Sequence, residues 1–153
     1  MIKKMRILPL FFLCLSTTLF AESAYELKGI HFLATFRECD EAAIFNSQKI
    51  EEVMEKAIQK TGATILRDEN GKKNGRYDFI PQGTTQMFLL SESHASIHTY
   101  PEHRAFFVDL FTCGDHCDWK PFYEELKAYF KTEKTSFALI ERSEEMKFLD
   151  PIN

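Results

Sequence analysis

Residues 86–111 read QMFLLSESHASIHTYPEHRAFFVDLF, and the way this run divides decides the fold. Gln86 to Ser91, Ser96 to Tyr100 and Ala105 to Phe111 are predicted strands. Each mixes apolar, aromatic and β-branched residues, and Pro101-Glu102 breaks the last two apart. Upstream, Gly29 to Phe36 has the same character and is a predicted first strand. Asn46 or Ser47 can cap a helix whose Ile50, Val53, Met54, Ala57 and Ile58 recur at helical spacing, and Gly62 ends it. Ala63 to Arg67 is expected as a second strand, and the polar run 68–75, DENGKKNG, as a turn or hairpin tip. Downstream, Asp118 is expected to cap a second helix containing Phe122, Leu126, Tyr129 and Phe130, with Pro121 in its first turn. Thr135 to Arg142 is a final strand and the rest a loose tail. Strands with two intervening helices predict an α+β fold, a two-layer α/β sandwich whose mainly antiparallel sheet is covered on one face by two helices.

The same run concentrates reactive groups. Ser93 offers a hydroxyl beside the Glu92 peptide bond, His98 an imidazole five residues on and Cys113 a thiol twenty residues on. A hydroxyl, a base and a soft acid can build and then use a covalent electrophile. Taken singly, each has a plainer role: a turn serine, a structural histidine, a buried cysteine filling space. Thr-Cys-Gly-Asp at the end of an apolar strand is nevertheless a poor place for filler.

At 153 residues the chain suffices for one domain with a real core, and fifteen Phe, most of them beyond the N-terminal segment, are enough to build a dense aromatic interior. The N-terminus stands apart. Lys3, Lys4 and Arg6 precede an apolar run from Ile7 to Leu15 and a small-residue site at Ala21, the layout of a signal peptide over 1–21 ahead of a mature domain over 22–153. An exported protein, periplasmic or secreted, is expected. The apolar run is shorter than the roughly 20 residues of a membrane span. No stable membrane association is therefore expected after signal removal, and an uncleaved anchor is the weaker alternative. Losing those three positive charges takes the formal charge from −4 to −7, which argues against nucleic acid as a partner. Cys39, Cys113 and Cys117 then remain, an odd number. Cys113-x3-Cys117 with His116 has part of a zinc pattern, but no second ligand pair has metal spacing, so no metal is expected.

From Glu92 to Gly114 the chain carries Glu-Ser-His-x-x-Ile-His-Thr-Tyr-Pro-Glu followed by Asp-x-Phe-Thr-Cys-Gly. Upstream stand Gly29-Ile30-His31, Glu38-Cys39-Asp40, Gly62-Ala63-Thr64-Ile65 and Phe79-x-Pro81-x-Gly83. This pattern resembles the bacterial S-adenosylmethionine decarboxylase family, whose members are made as proenzymes that cut themselves. The resemblance implies the same fold and a homodimer of processed protomers with active sites at or near the subunit interface. It implies that the Ser93 hydroxyl attacks the Glu92 carbonyl to give an ester. β-Elimination then leaves a β chain ending at Glu92 and an α chain whose pyruvoyl group derives from Ser93, the covalent cofactor. By the same resemblance His98 assists the elimination, Thr85 stands for a processing serine, and Cys113 is the proton donor in turnover. Phe79 and Tyr100 offer rings to a small-molecule substrate and Glu102 a carboxylate to its ribose.

Departures bear on the substrate. Thr35 stands for an acidic residue, Tyr77-Asp78 for a His-basic pair, and His103-Arg104 for a Tyr-Gly pair. A sulfonium nucleoside favours aromatic faces and carboxylates. Losing an acid at Thr35 and gaining Arg104 weakens that match, and S-adenosylmethionine is a cytoplasmic metabolite. Three functions stay open: decarboxylation of S-adenosylmethionine in polyamine (spermidine) synthesis, decarboxylation of arginine or ornithine on the same scaffold, and an unprocessed, non-catalytic exported binding protein.

Overall fold

A computed structural model describes residues 27–72 and 74–149. The expected signal segment lies outside them. Seven antiparallel strands form one sheet in the order β2-β3-β4-β5-β1-β6-β7. They are β1 (Gly29–Arg37), β2 (Asn74–Asp78), β3 (Thr84–Leu89), β4 (Ser93–Tyr100), β5 (Ala105–Cys113), β6 (Lys134–Arg142) and β7 (Met146–Leu149). The helices are the short α1 (Glu41–Ile44), α2 (Ser47–Lys60) and α3 (Lys120–Phe130). The expected two-layer sandwich is what forms.

Period-2 alternation in the strands and helical spacing in α2 and α3 meet in one core. Phe32, Ala34 and Phe36 of β1 face Ile50, Met54, Ala57 and Ile58 of α2 and Phe122, Leu126 and Phe130 of α3, all buried. Phe106 sits between Phe36 and Phe130, with ring centroids 4.5 and 4.3 Å away. Helix α2 is capped where the sequence placed its cap: Asn46 Oδ1 accepts from the Lys49 N–H at 3.0 Å. At its other end Gly62 takes φ = 90°, which a side chain would oppose.

Among the described residues, no helix lies over the opposite face of the sheet. Thr85, His98, Tyr100 and Phe107 alternate with the core residues of β3, β4 and β5 and so point that way. Met87, Leu89 and Phe107 are 50%, 62% and 49% exposed there.

Four local expectations are corrected. Ala63–Arg67 is not a strand and makes a single bridge, Ile65 to Leu90. The edge of β3 is already taken by β2, paired from Asn74–Phe88 to Asp78–Thr84, so only the last residues of β3 are left to bond. The polar tip accordingly shrinks: Asp68 Oδ1 accepts from the Asn70 and Lys72 N–H groups, and strand begins at Asn74. The loose tail contains β7, paired with β6. Finally, Trp119 rather than Asp118 occupies the cap position of α3, although Asp118 Oδ1 still accepts from the Lys120 N–H at 3.0 Å.

Candidate active site

The Glu92–Ser93 peptide lies at the tip of the β3–β4 hairpin. Leu90 and Ser93 exchange both backbone hydrogen bonds, at 2.9 and 3.2 Å, leaving Ser91 and Glu92 as the turn. Ser93 takes φ = 156°, a backbone conformation that L side chains rarely adopt. The Glu92 carbonyl oxygen accepts from the Cys113 backbone N–H at 3.0 Å. A carbonyl so held is polarised for attack, and the same N–H is placed to stabilise the charge that attack would develop. Ser93 Oγ lies 3.0 Å from His94 Nδ1. Cys113, at the end of β5, is exposed. Cys39 contrasts with it: burial, only partly opposed by Arg104, pushes its thiol up to about 11, the mark of an inert core cysteine.

The Glu92 side chain anchors the tip. Its Oε2 accepts from the Thr64 N–H at 2.9 Å, and Oε1 lies 3.4 Å from His116 Nε2. Burial alone would raise its pKa. The Thr64 N–H, the Ser91 hydroxyl and His116 outweigh that and hold the carboxyl below the usual range.

A second group forms farther along β4. Thr85 and His98 are direct partners across the β3–β4 ladder, and the Thr85 hydroxyl bonds His98 Nδ1. That contact fixes which imidazole nitrogen remains free. Around His98 runs an aromatic belt: Phe79 at 5.5 Å and Tyr100 at 4.5 Å, with Phe107 5.2 Å beyond Tyr100. Phe79, His98, Tyr100 and Glu102 line a cavity of about 190 Å³. A larger hollow of about 340 Å³ between Leu66, Met87 and Leu89 holds none of these groups. The smaller one has the chemistry.

The structure therefore divides the expected residues into two sets. Glu92, Ser93 and Cys113 share the hairpin tip, while Thr85, His98, Phe79, Tyr100 and Glu102 share the cavity. Five steps along β4 separate Ser93 from His98, about 16 Å at roughly 3.3 Å per residue. Arg104, which stands for the glycine of the family's Tyr-Gly pair, takes φ = 48°. Its Nε donates to the Cys39 carbonyl at 2.7 Å, so the guanidinium is tied to the backbone after β1. Asp78 is likewise engaged, 3.3 Å from Arg76. Sequence reasoning missed Thr64, His94 and the His116 contact. His94 sits inside the motif and was findable, whereas Thr64 and His116 meet Glu92 only through the fold.

A pyruvoyl-dependent carboxy-lyase made from a proenzyme is the class this fold and this serine-bearing tip define. The family profile described as S-adenosylmethionine decarboxylase matches residues 30–143. S-adenosylmethionine decarboxylase proenzymes are similar across most of the chain. The one from Fervidobacterium nodosum is 42% identical over 69% of this chain and 73% of its own length. The one from Thermotoga maritima is 39% identical over 74% and 83%. The crystal structure of the adenosylmethionine decarboxylase from Aquifex aeolicus superposes with a TM-score of 0.68 at 28% identity, covering 84% of this chain and 98% of that one. The chain belongs to the S-adenosylmethionine decarboxylase family.

Proposed function

We propose that the chain cuts itself between Glu92 and Ser93 and decarboxylates S-adenosylmethionine for polyamine (spermidine) synthesis. The observation that carries this reading is the Cys113 N–H on the Glu92 carbonyl, 3.0 Å away, with the Ser93 hydroxyl next to it. Attack by Oγ on that carbonyl carbon forms the ester and releases the Ser93 nitrogen. Loss of the Ser93 α-proton to a base then expels the Glu92 carboxylate and ends the β chain there. The dehydroalanine left at the start of β4 would take up water and lose its nitrogen as ammonia to become the pyruvoyl group, which when formed supplies an electron sink for decarboxylation. Ser93 suits that origin, because its strained φ and the held carbonyl both favour leaving the peptide state. Cys113, exposed beside the tip, returns a proton to the substrate carbon after carbon dioxide departs.

The working form is a homodimer of processed protomers. Proton transfer needs donor and acceptor about 3 Å apart, and His98 is about 16 Å from Ser93 on its own strand. A second copy packed against the open face brings its Thr85–His98 pair and its aromatic cavity to the first copy's tip. Exposed Met87, Leu89 and Phe107 give that face the apolar area for such packing.

For the substrate, the belt of Phe79, Tyr100 and Phe107 offers ring faces to a sulfonium, and Glu102 a carboxylate to ribose hydroxyls. Arg104 keeps its charge, but its Nε bond to the Cys39 carbonyl holds the guanidinium at the backbone after β1. Residues 1–21 act as a signal peptide, residues 22–153 as the exported domain. Intact mass of the purified protein tests cleavage and signal removal together: one unbroken mature chain would sink the enzyme reading and favour a binding protein. Carbon dioxide release from S-adenosylmethionine, arginine and ornithine tests the substrate. Release from either amino acid with none from S-adenosylmethionine would move the assignment.

A further inference from the structure

Among the described residues, Glu92, His116 and Cys117 bring a carboxylate, an imidazole and a thiol together, each ligand atom within 4.8 Å of the others. Glu92 comes from the hairpin tip and the other two from the loop between β5 and α3, so the fold assembles what sequence spacing did not reveal. That loop is pinned at both ends. The Gly114 N–H donates to the Lys28 carbonyl at 3.2 Å and the Asp118 N–H to the Thr61 carbonyl at 3.0 Å. Gly114 also makes room for the imidazole. At its φ of 82°, a Cβ would stand 3.2 Å from His116 Nδ1, so the bare glycine lets the ring fold back over it. The ring's Nε2 then faces Glu92 Oε1 at 3.4 Å, while Oε2 is already held by Thr64.

We propose that Glu92, His116 and Cys117 form a site for a borderline-soft divalent cation of the Zn²⁺ type, with a fourth position open to water. Thiolate plus imidazole selects such an ion over Mg²⁺ or Ca²⁺, which take oxygen ligands. Zinc bonds of roughly 2.0–2.3 Å in a tetrahedron put ligand atoms about 3.3–3.8 Å apart, so the Glu92–His116 pair at 3.4 Å already fits and the remaining separations, within 4.8 Å, need close by no more than about 1.5 Å. His116 is exposed and free to make that movement. The ion clamps the hairpin tip, tying the residue before the Glu92–Ser93 bond to the loop that follows Cys113.

The site needs no cleavage, so it is tested on an uncut, untagged full-length Ser93→Ala chain kept reduced and titrated with Co²⁺. One equivalent should bind with a thiolate-to-cobalt charge-transfer band that Zn²⁺ displaces. Cys117→Ser should abolish the band, and Cys113→Ser should leave it. His116→Gln, at an exposed position that does not threaten folding, should weaken binding about tenfold or more, at least what loss of a supporting residue costs at a metal site. No band, a band surviving Cys117→Ser, a band lost with Cys113→Ser, or unchanged affinity in His116→Gln would each overturn the proposal. None of these readouts depends on decarboxylation or on the cut.

Discussion

If Ser93 is served by the partner's His98, two inactive variants should rescue one another. A Ser93→Ala chain has an intact His98 and nothing to cut, and a His98→Ala chain has the reverse. Within one chain the gap of about 16 Å along β4 is some five times the reach of a hydrogen bond, and β4 is paired on both sides, so no side-chain rotation closes it. In a mixed dimer, by contrast, the intact Ser93 of one copy faces the intact His98 of the other. Equal co-expression with random pairing puts about half of the His98→Ala chains in mixed dimers, so about half of them should be cut. Gel densitometry or intact mass reads that fraction, and native mass spectrometry confirms that mixed dimers form. Cleavage no greater than in His98→Ala alone, with mixed dimers present, would refute the divided site.

Cys113→Ala should keep its backbone N–H on the Glu92 carbonyl and so still be cut, while turnover falls by about 10² or more, as for loss of a catalytic acid; unchanged carbon dioxide release would remove the thiol from the site. Thr85→Val removes the hydroxyl that orients His98 and should slow cleavage about tenfold or more, whereas Thr85→Ser should not; equal time courses would show the contact to be structural only. Phe106→Ala empties the space between Phe36 and Phe130 and should cost about 3–5 kcal/mol in denaturant unfolding. In the uncut Ser93→Ala background, Glu92 carries a depressed pKa. Its contribution to stability is therefore present above the ordinary 4.5 and lost as pH falls through the native value. Glu92→Gln should flatten that acid arm in unfolding curves taken across it, and an unchanged arm would assign it to other carboxyls.

The sequence was legible where local pattern and tertiary demand agree. Ile50 to Ile58 spell out α2 because the positions that favour a helix are those the sheet must cover. Ala63–Arg67 looked like a strand for equally good local reasons, yet pairing depends on which edge is vacant, and β2 holds it. That β2, Asn-Gly-Arg-Tyr-Asp, is an edge strand of turn-like composition whose described side chains are exposed, so no apolar alternation betrays it. β7 escaped for the same reason, with Met146 and Phe148 71% and 78% exposed. At the site the motif named residues without placing them. Ser93 and His98 look like neighbours in print, but a strand spends about 3.3 Å on every residue between them. Glu92 and His116, 24 positions apart, turn out to touch.

The division of labour has a consequence for when the electrophile is made. Everything that prepares the Glu92–Ser93 bond belongs to its own chain: the tight turn, the φ of Ser93, the Cys113 N–H and the Thr64 hold on Glu92. Preparation alone does not cut: His94 Nδ1, 3.0 Å from Ser93 Oγ, can take the hydroxyl proton, but the elimination needs a further base for the Ser93 α-proton. On the proposed arrangement that base arrives with the partner, oriented by Thr85. On that arrangement a lone proenzyme would keep its ketone unmade and its exposed thiol idle, and pairing through the open face would both bury Met87, Leu89 and Phe107 and start the chemistry.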